Sequence, residues 1–201
     1  NTTMTTSTKL TLVMPCYTLN EDLEEMAEWG LESYLGQVDE IIVVEDGGQY
    51  SPKLRHLADK YIYLKENVGF TKAVNTGWKL SSGDFTAIVN SDTDLLSGNL
   101  RELCIKGKVT SPKTENVGVP ALAGHFFVVP REIQEKYGML DERLRMYVSD
   151  SEYEGRIKHL IQQVPSVIIW HENQATTKVA GVGEKEREED RKTYANIHNN
   201  S

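Results

Sequence analysis

The strongest constraint on the fold is the alternation of short apolar runs with segments whose apolar residues recur at helical spacing. Residues 10–14 form an apolar run that ends at Pro15, and residues 41–44 form a second, β-branched run. Between them, the apolar positions from Leu23 to Leu35 share one face of a helix. A strand, a helix and a strand within about 35 residues predict a βαβ unit with two parallel strands.

The same alternation continues along the chain. Asn20 and Gly36 are predicted to begin and end the first helix, and Pro130 and Gly138 to flank a later one. Further strands are predicted at residues 61–64, 85–89, 125–129 and 167–170, and further helices at 71–80, 131–137 and 149–163. We therefore expect one α/β domain over residues 10–180, after a disordered segment (1–9) and before a charged tail or helix (181–201) that is solvated.

Charge and cysteine content argue against several function classes. Among 201 residues, 22 Lys and Arg face 30 Asp and Glu, and the net charge of −8 disfavours broad binding of nucleic acid or anionic membranes. No apolar run approaches the roughly 18 residues that span a bilayer, and residues 1–9 lack an apolar signal core, so a soluble cytoplasmic protein is expected. Cys16 and Cys104 are predicted to be small core residues rather than a disulfide or metal pair.

Polar side chains follow the apolar runs at the predicted strand ends. In an open α/β sheet, ligands bind beyond the carboxyl ends of the strands. Each segment alone is also a common turn former, but turns alone do not readily explain all of them at strand ends. The segments are 15–17, 45–48, 67–69, 90–94 and 170–171.

Asp92 and Asp94 directly follow the apolar residues 87–89. Closely spaced carboxylates repel each other, and a divalent cation that prefers oxygen ligands relieves this repulsion. Mn²⁺ or Mg²⁺ suits such a site and could bridge the phosphates of a nucleotide. Alternatively, Asp92 and Asp94 form an Asx turn, or Asp94 opens a helix over residues 94–97.

In this order, the segments resemble the motifs of the family 2 glycosyltransferases of the GT-A fold. Residues 13–17 are similar to V-x-P-x-Y, residues 43–48 to V-V-D-D-G-S, and residues 67–77 to N-x-G-x(5)-N-x-G. Further on, residues 82–92 are similar to the G-D-Y strand and its D-x-D motif, 124–131 to an acceptor-side segment, 138–142 to G-G-F-D-E, 149–156 to E-D-x-D-x-x-x-R, and 171–177 to H-x-x-x-x-T. The resemblance covers residues 10–177.

The resemblance implies a Rossmann-like, nucleotide-binding three-layer α/β/α domain with a mainly parallel central sheet. It also implies metal-dependent, inverting transfer of a sugar from a nucleotide diphosphate sugar, expected to be UDP-linked, to an acceptor hydroxyl. By this resemblance, Asp46 contacts the nucleobase of the donor, and Asp150 is the catalytic base that removes the proton from the acceptor hydroxyl. The other donor-binding residues are Pro15, Tyr17, Asn67, Gly69, Asn75, Asn90 and Ser91, and the metal ligands are Asp92, Asp94 and His171.

Two departures from the family pattern leave alternatives open. Asn90 replaces the first acid of D-x-D, so the working metal motif is either Asn90–Asp92 or Asp92–Asp94, and Ser149 replaces the Glu before Asp150. The chain could therefore be a catalytically silent module that binds nucleotide sugars. A sugar-phosphate nucleotidyltransferase is a weaker alternative, because no glycine-rich loop follows the first strand.

The sequence leaves the acceptor and the oligomeric state open. The acceptor could be a saccharide, a lipid-linked sugar, a protein or a modified base, and the chain could form a homo-oligomer. Nucleic acid is disfavoured by the net charge, although Lys106, Lys108 and Lys113 could form a local basic patch. A processive synthase is not expected, because no Q-x-x-R-W motif occurs.

Overall fold

The computed structural model describes residues 8–118, 122–172, 175–181 and 183–199. Its central feature is an eight-stranded sheet in the order β3-β2-β1-β4-β7-β6-β8-β5. The strands are β1 (Leu10–Cys16), β2 (Glu40–Asp46), β3 (Lys60–Leu64), β4 (Phe85–Val89), β5 (Thr93–Ser97), β6 (Val109–Thr114), β7 (Phe126–Pro130) and β8 (Ile161–His171). The helices are α1 (Glu21–Tyr34), α2 (Pro52–Leu57), α3 (Phe70–Lys79), α4 (Arg131–Tyr137), α5 (Ser149–Ile157), α6 (Ala175–Ala180) and α7 (Glu184–Asn199).

The first half of the sheet is parallel, as the βαβ pattern predicts. Strand β1 pairs in parallel with β2 and β4, and β2 pairs in parallel with β3. Strand β7 then runs antiparallel to β4, and β5 runs antiparallel to β8 at the other end of the sheet. The carboxyl ends of β1, β2 and β4 therefore lie along the same edge, which positions the polar segments that follow them.

Helices cover both faces of the sheet because alternate side chains of each strand point to opposite faces. On one face, Leu12 and Met14 of β1 pack in a cluster with Leu31 of α1. On the other face, Val13 packs in a cluster with Trp78 of α3, together with residues of α5. The predicted three-layer α/β/α arrangement is confirmed.

Several helix ends follow from single residues, as predicted. The Asn20 side chain accepts a hydrogen bond from the Leu23 N–H at 3.0 Å and so caps α1. Helix α4 begins directly after Pro130 and ends at Gly138, whose φ of 79° suits glycine. Cys16 is buried and Cys104 half-buried, and both are free, as predicted.

The structure excludes one alternative that the sequence left open, a helix over residues 94–97, and shortens the helix predicted over residues 149–163. Residues 94–97 belong to strand β5, in which Asp94 pairs with Trp170 of β8. Helix α5 ends at Ile157, and β8 begins at Ile161, where it pairs with Val109 of β6. In both places, pairing with a distant strand overrides local helical spacing.

The ends of the chain are only partly described. Residues 1–7 of the predicted disordered segment lie outside the described residues, whereas the Lys9 N–H donates to Asp84 at 2.8 Å. Residues 184–199 of the predicted tail or helix form α7. Across the described ranges, none of the helices has the length and apolarity needed to cross a membrane.

Candidate functional site

A cavity of about 350 Å³ opens at the shared carboxyl edge of β1, β2 and β4. It collects residues that are far apart in sequence but follow neighbouring strands. Most of the sequence-predicted site residues line it: Pro15, Tyr17, Asp46, Asn67, Asn90, Ser91, Asp92, Asp150 and His171. Gly69, Asn75 and Asp94 do not line it.

Asp46, at the end of β2, organises the turn that leads into α3. Its carboxylate accepts hydrogen bonds from the Val68 N–H at 2.7 Å, the Gly69 N–H at 3.0 Å and the Asn67 side chain at 3.0 Å. Burial raises the pKa of Asp46, and the two backbone donors partly offset this. A carboxylate has about four acceptor sites, so roughly one remains for a ligand donor in the cavity.

Gly69 supports this turn from outside the cavity wall. Its φ of 95° is a backbone conformation that residues with a side chain rarely adopt. A Cβ at this position would also lie 2.8 Å from the Arg145 carbonyl oxygen. The Arg145 guanidinium donates to the Asn67 carbonyl at 2.8 Å and to its side-chain oxygen at 2.9 Å. Glycine thus permits close approach of the loop that carries Arg145.

Asn75 has a bracing role in the structure rather than a place in the cavity. Its side-chain N–H donates to the Leu140 carbonyl at 2.8 Å, and its side-chain oxygen accepts from the Leu140 N–H at 3.2 Å. It also donates to Glu142 at 3.1 Å. These bonds tie α3 to the segment before α5.

Glu45, next to Asp46, is fully buried behind the cavity wall. Its Oε1 accepts from the N–H groups of Thr18 and Gly48 at 2.9 and 3.1 Å, and its Oε2 lies 2.6 Å from the Thr18 hydroxyl. Burial raises the pKa of Glu45 from 4.5 to about 7, although its hydrogen bonds act in the opposite direction.

This shift predicts how stability depends on pH. Between pH 4.5 and pH 7 the folded chain keeps the Glu45 proton and the unfolded chain releases it, so the free energy of unfolding falls as pH rises. Glu45→Gln keeps one acceptor and one donor at this place and removes that fall, which is on the order of 2–3 kcal/mol. Thermal melts at pH 5 and pH 8 should show the variant gaining stability relative to wild type at the higher pH. The exposed Glu66→Gln is the control, and a parallel change in both variants would contradict the assignment.

The metal-ligand candidates divide into two groups. Asp92 Oδ1 lies 3.3 Å from His171 Nε2, and both side chains are buried. Asn116 fixes the His171 backbone by donating to its carbonyl at 2.6 Å and accepting from its N–H at 3.1 Å. Asp94 instead lies in β5, outside the cavity lining.

Asp92 and His171 supply one oxygen and one nitrogen donor, and the side-chain oxygen of Asn90 is buried in the same cavity without a hydrogen-bond partner in the described residues. Within those residues, no three His, Cys, Asp or Glu side chains cluster as a metal site. The donor set therefore fits an ion that takes its remaining ligands from a phosphate or water.

His125 is an addition to this cluster. Its ring stacks on His171 with centroids 4.1 Å apart, and its Nε2 lies 2.7 Å from the Thr114 hydroxyl. Burial and the neighbouring His171 lower the pKa of His125 to about 4, so the ring is neutral at physiological pH. From the sequence, His125 is only the first residue of a predicted strand, and nothing indicates that its ring stacks on His171.

Asp150 approaches the cavity from the first turn of α5. A Cβ on Gly124 would lie 2.8 Å from Asp150 Cγ, so glycine leaves the space that this carboxylate occupies. Within the described part of the chain, no hydrogen bond to the Asp150 side chain forms, which leaves its oxygens available to a ligand. The cavity wall next to it is the loop of Met146, Tyr147 and Val148, which no sequence motif indicated.

Comparison with known proteins places this geometry in context. The model of the family described as "Glycosyl transferase family 2" matches residues 11–104. A curated N-acetylglucosaminyltransferase of Rhizobium sp. (strain N33) is 33% identical over 108 residues, which are 47% of this chain and 23% of that protein. The chain therefore spans about a quarter of the length of this relative.

Two solved structures share the fold. Staphylococcus aureus TarS 1–349 in complex with UDP matches with a TM-score of 0.60 and 18% identity over 83% of this chain and 59% of its own. The mannosyltransferase PcManGT from Pyrobaculum calidifontis, in complex with GDP-Man and Mn²⁺, matches with a TM-score of 0.64 and 16% identity over 82% and 56%. At these identities the likeness concerns the fold alone, and it confirms the predicted GT-A fold.

Proposed function

We propose that this chain, which over residues 11–104 belongs to glycosyl transferase family 2, transfers a sugar from a nucleotide diphosphate sugar to an acceptor hydroxyl. The observation that carries the proposal is the convergence of Asp46, Asp92 and Asp150 on one cavity. These carboxylates come from three separate parts of the fold. Their placement supports three tasks, which are base recognition, phosphate neutralisation and proton removal.

The donor nucleotide lies against the ends of β1 and β2 in this proposal. The remaining acceptor site of Asp46 takes an N–H of the base, and Pro15 and Tyr17 border the ring. Uracil is the expected base, because its single ring N–H matches the one remaining acceptor site of Asp46, whereas guanine presents two adjacent N–H groups. The UDP complex of TarS, which has the same fold, supports this choice.

The diphosphate lies next to Asn90, Ser91 and Asp92. A bound Mn²⁺ or Mg²⁺ would neutralise the charge that develops on the diphosphate leaving group. Asp92 and His171 would hold such an ion, and the buried oxygen of Asn90 supplies a further acceptor beside them. The Mn²⁺ in the PcManGT complex supports Mn²⁺ in particular, since imidazole is a softer ligand than Mg²⁺ prefers.

Asp150 serves as the base in an inverting mechanism. Inversion requires that the acceptor hydroxyl attack the anomeric carbon from the side opposite the diphosphate and lose its proton to a nearby acceptor. Asp150 lines the cavity from the first turn of α5, and no described residue forms a hydrogen bond with its oxygens. The negative charge is also stabilised by the N-terminus of α5.

A thermal-shift panel of nucleotide diphosphate sugars, with and without Mn²⁺, tests this function. A donor at 100 times its dissociation constant should stabilise the fold by about 2.7 kcal/mol. For a chain of this size, that corresponds to a Tm increase of roughly 5–10 °C. We expect one donor to give this shift and Mn²⁺ to enlarge it. The absence of a shift with every UDP- and GDP-linked sugar would contradict the proposal.

A further inference from the structure

The helix α7 is rich in charge, but one of its acids is buried. Asp190 is only 4% exposed, whereas Glu188 and Glu189 on the same helix are exposed. The Asp190 carboxylate accepts three backbone hydrogen bonds, from the N–H groups of Arg145 at 2.9 Å, Met146 at 2.8 Å and Tyr147 at 2.7 Å. A buried carboxylate with three donors is a specific anchor, because a buried charge is costly unless it is hydrogen-bonded.

The anchored loop forms one wall of the cavity. Met146, Tyr147 and Val148 line it, and the Arg187 guanidinium of α7 lies 4.8 Å from the centre of the Tyr147 ring. Val148 has a φ of 54° and, among the described residues, is the only non-glycine with positive φ. For a β-branched residue this backbone is strained, and it persists only where the surroundings hold it.

The same loop connects the two sides of the cavity. The strained Val148 directly precedes Ser149 and Asp150, so it sets the direction in which α5 begins. At the other end of the loop, the carbonyl of Arg145 accepts a hydrogen bond from the Thr71 N–H at 3.1 Å, and the guanidinium of Arg145 donates to Asn67. A displacement of this loop would therefore move Asp150 relative to the donor side.

We propose that Asp190 is a positioning residue that holds the loop of residues 145–148 so that Asp150 faces the donor. This inference rests on the proposed function. Asp190 is not among the residues that line the cavity. It acts through the three backbone N–H groups and the turn that begins α5.

Asp190→Asn tests the inference, with Glu188→Gln on the exposed face of α7 as the matched control for charge. An amide side chain presents an NH₂ group where a backbone N–H now finds an acceptor, so at least one of the three bonds is lost. We expect the amides of residues 145–147 to exchange hydrogen at least about tenfold faster in Asp190→Asn. We also expect kcat to fall at least about tenfold while KM for the donor changes less than about threefold, because Asp46 keeps its own contacts.

A second variant covers the case in which Asp190→Asn fails to fold. Arg187→Gln removes the cation over the Tyr147 ring. It should lower kcat by a smaller factor than Asp190→Asn does, and KM for the donor should again change less than about threefold. Unchanged amide exchange in Asp190→Asn, or an equal loss in Glu188→Gln, would overturn the inference alone. A wild type with normal loop protection that releases no nucleoside diphosphate from any donor would overturn the proposed function, and the positioning role of Asp190 in it.

Discussion

Asp150→Asn is expected to lower kcat at least about 100-fold, because general-base catalysis contributes factors of roughly 10² to 10⁴. The change removes the proton acceptor and keeps the size and position of the side chain. Donor binding should change less than about threefold, since Asp46 and Asp92, the proposed donor contacts, come from other parts of the fold. Steady-state kinetics together with calorimetric titration of the donor separate the two effects.

Gly124→Ala provides an independent route to the same loss. Its Cβ would occupy the space of the Asp150 carboxylate, which must then rotate away from its place in the cavity. The folded state should tolerate the change, because the carboxylate can rotate away and Asp150 Cβ, 3.0 Å from the added atom, needs only a small backbone shift. Asp22→Asn, at an exposed position in α1, is the matched control and should keep full activity.

Normal turnover by Asp150→Asn would disprove the assignment of Asp150 as the catalytic base.

Asp92→Asn is expected to abolish the Mn²⁺-dependent part of both donor binding and turnover. The Asp92 carboxylate is the acid that lies next to His171, and an amide binds a divalent ion more weakly because it has no charge. A loss of at least about 100-fold in kcat/KM is expected, since electrostatic stabilisation of the leaving group is commonly worth that much. Calorimetric titration of UDP with Mn²⁺ and initial rates against metal concentration measure the two effects.

Asp94→Asn is the matched control for the metal site and distinguishes the two possible motifs. Asp94 lies in β5 opposite Trp170, outside the cavity lining, so this variant should keep most of the metal response. A larger loss in Asp94→Asn than in Asp92→Asn would favour Asp94 as the working ligand and contradict the proposed site.

Local signals were enough to predict strands β1 to β4 and helices α1 and α3, although they did not indicate helix α2. The apolar runs at residues 10–14 and 41–44 form β1 and β2, and Asn20 caps α1 through its own side chain. These outcomes depend on residues a few positions apart. Strand β5 and the early start of β8 depend on pairing between residues more than 50 positions apart, which periodicity in one window does not report.

The candidate site likewise combines residues that local signals predict with residues whose contacts are distant in sequence. Strand ends predicted the lining residues that follow β1, β2, β3 and β4, because parallel strands bring their carboxyl ends together. Asn75 binds Leu140, 65 positions away, and no local pattern indicates that its amide is already hydrogen-bonded. Asp190 was equally hidden, because a buried acid within a mixed-charge helix looks like its solvated neighbours. Its role depends on three backbone N–H groups more than 40 positions earlier.

Nucleoside diphosphate release is the most direct test of the account. Wild type, Asp150→Asn and Asp22→Asn would be incubated with Mn²⁺ and a panel of UDP- and GDP-linked sugars, with and without candidate acceptor saccharides. We expect wild type and Asp22→Asn to release the nucleoside diphosphate from one donor, and Asp150→Asn to bind this donor but release almost none. Release at the wild-type rate by Asp150→Asn, or no release by wild type from any donor, would contradict this expectation.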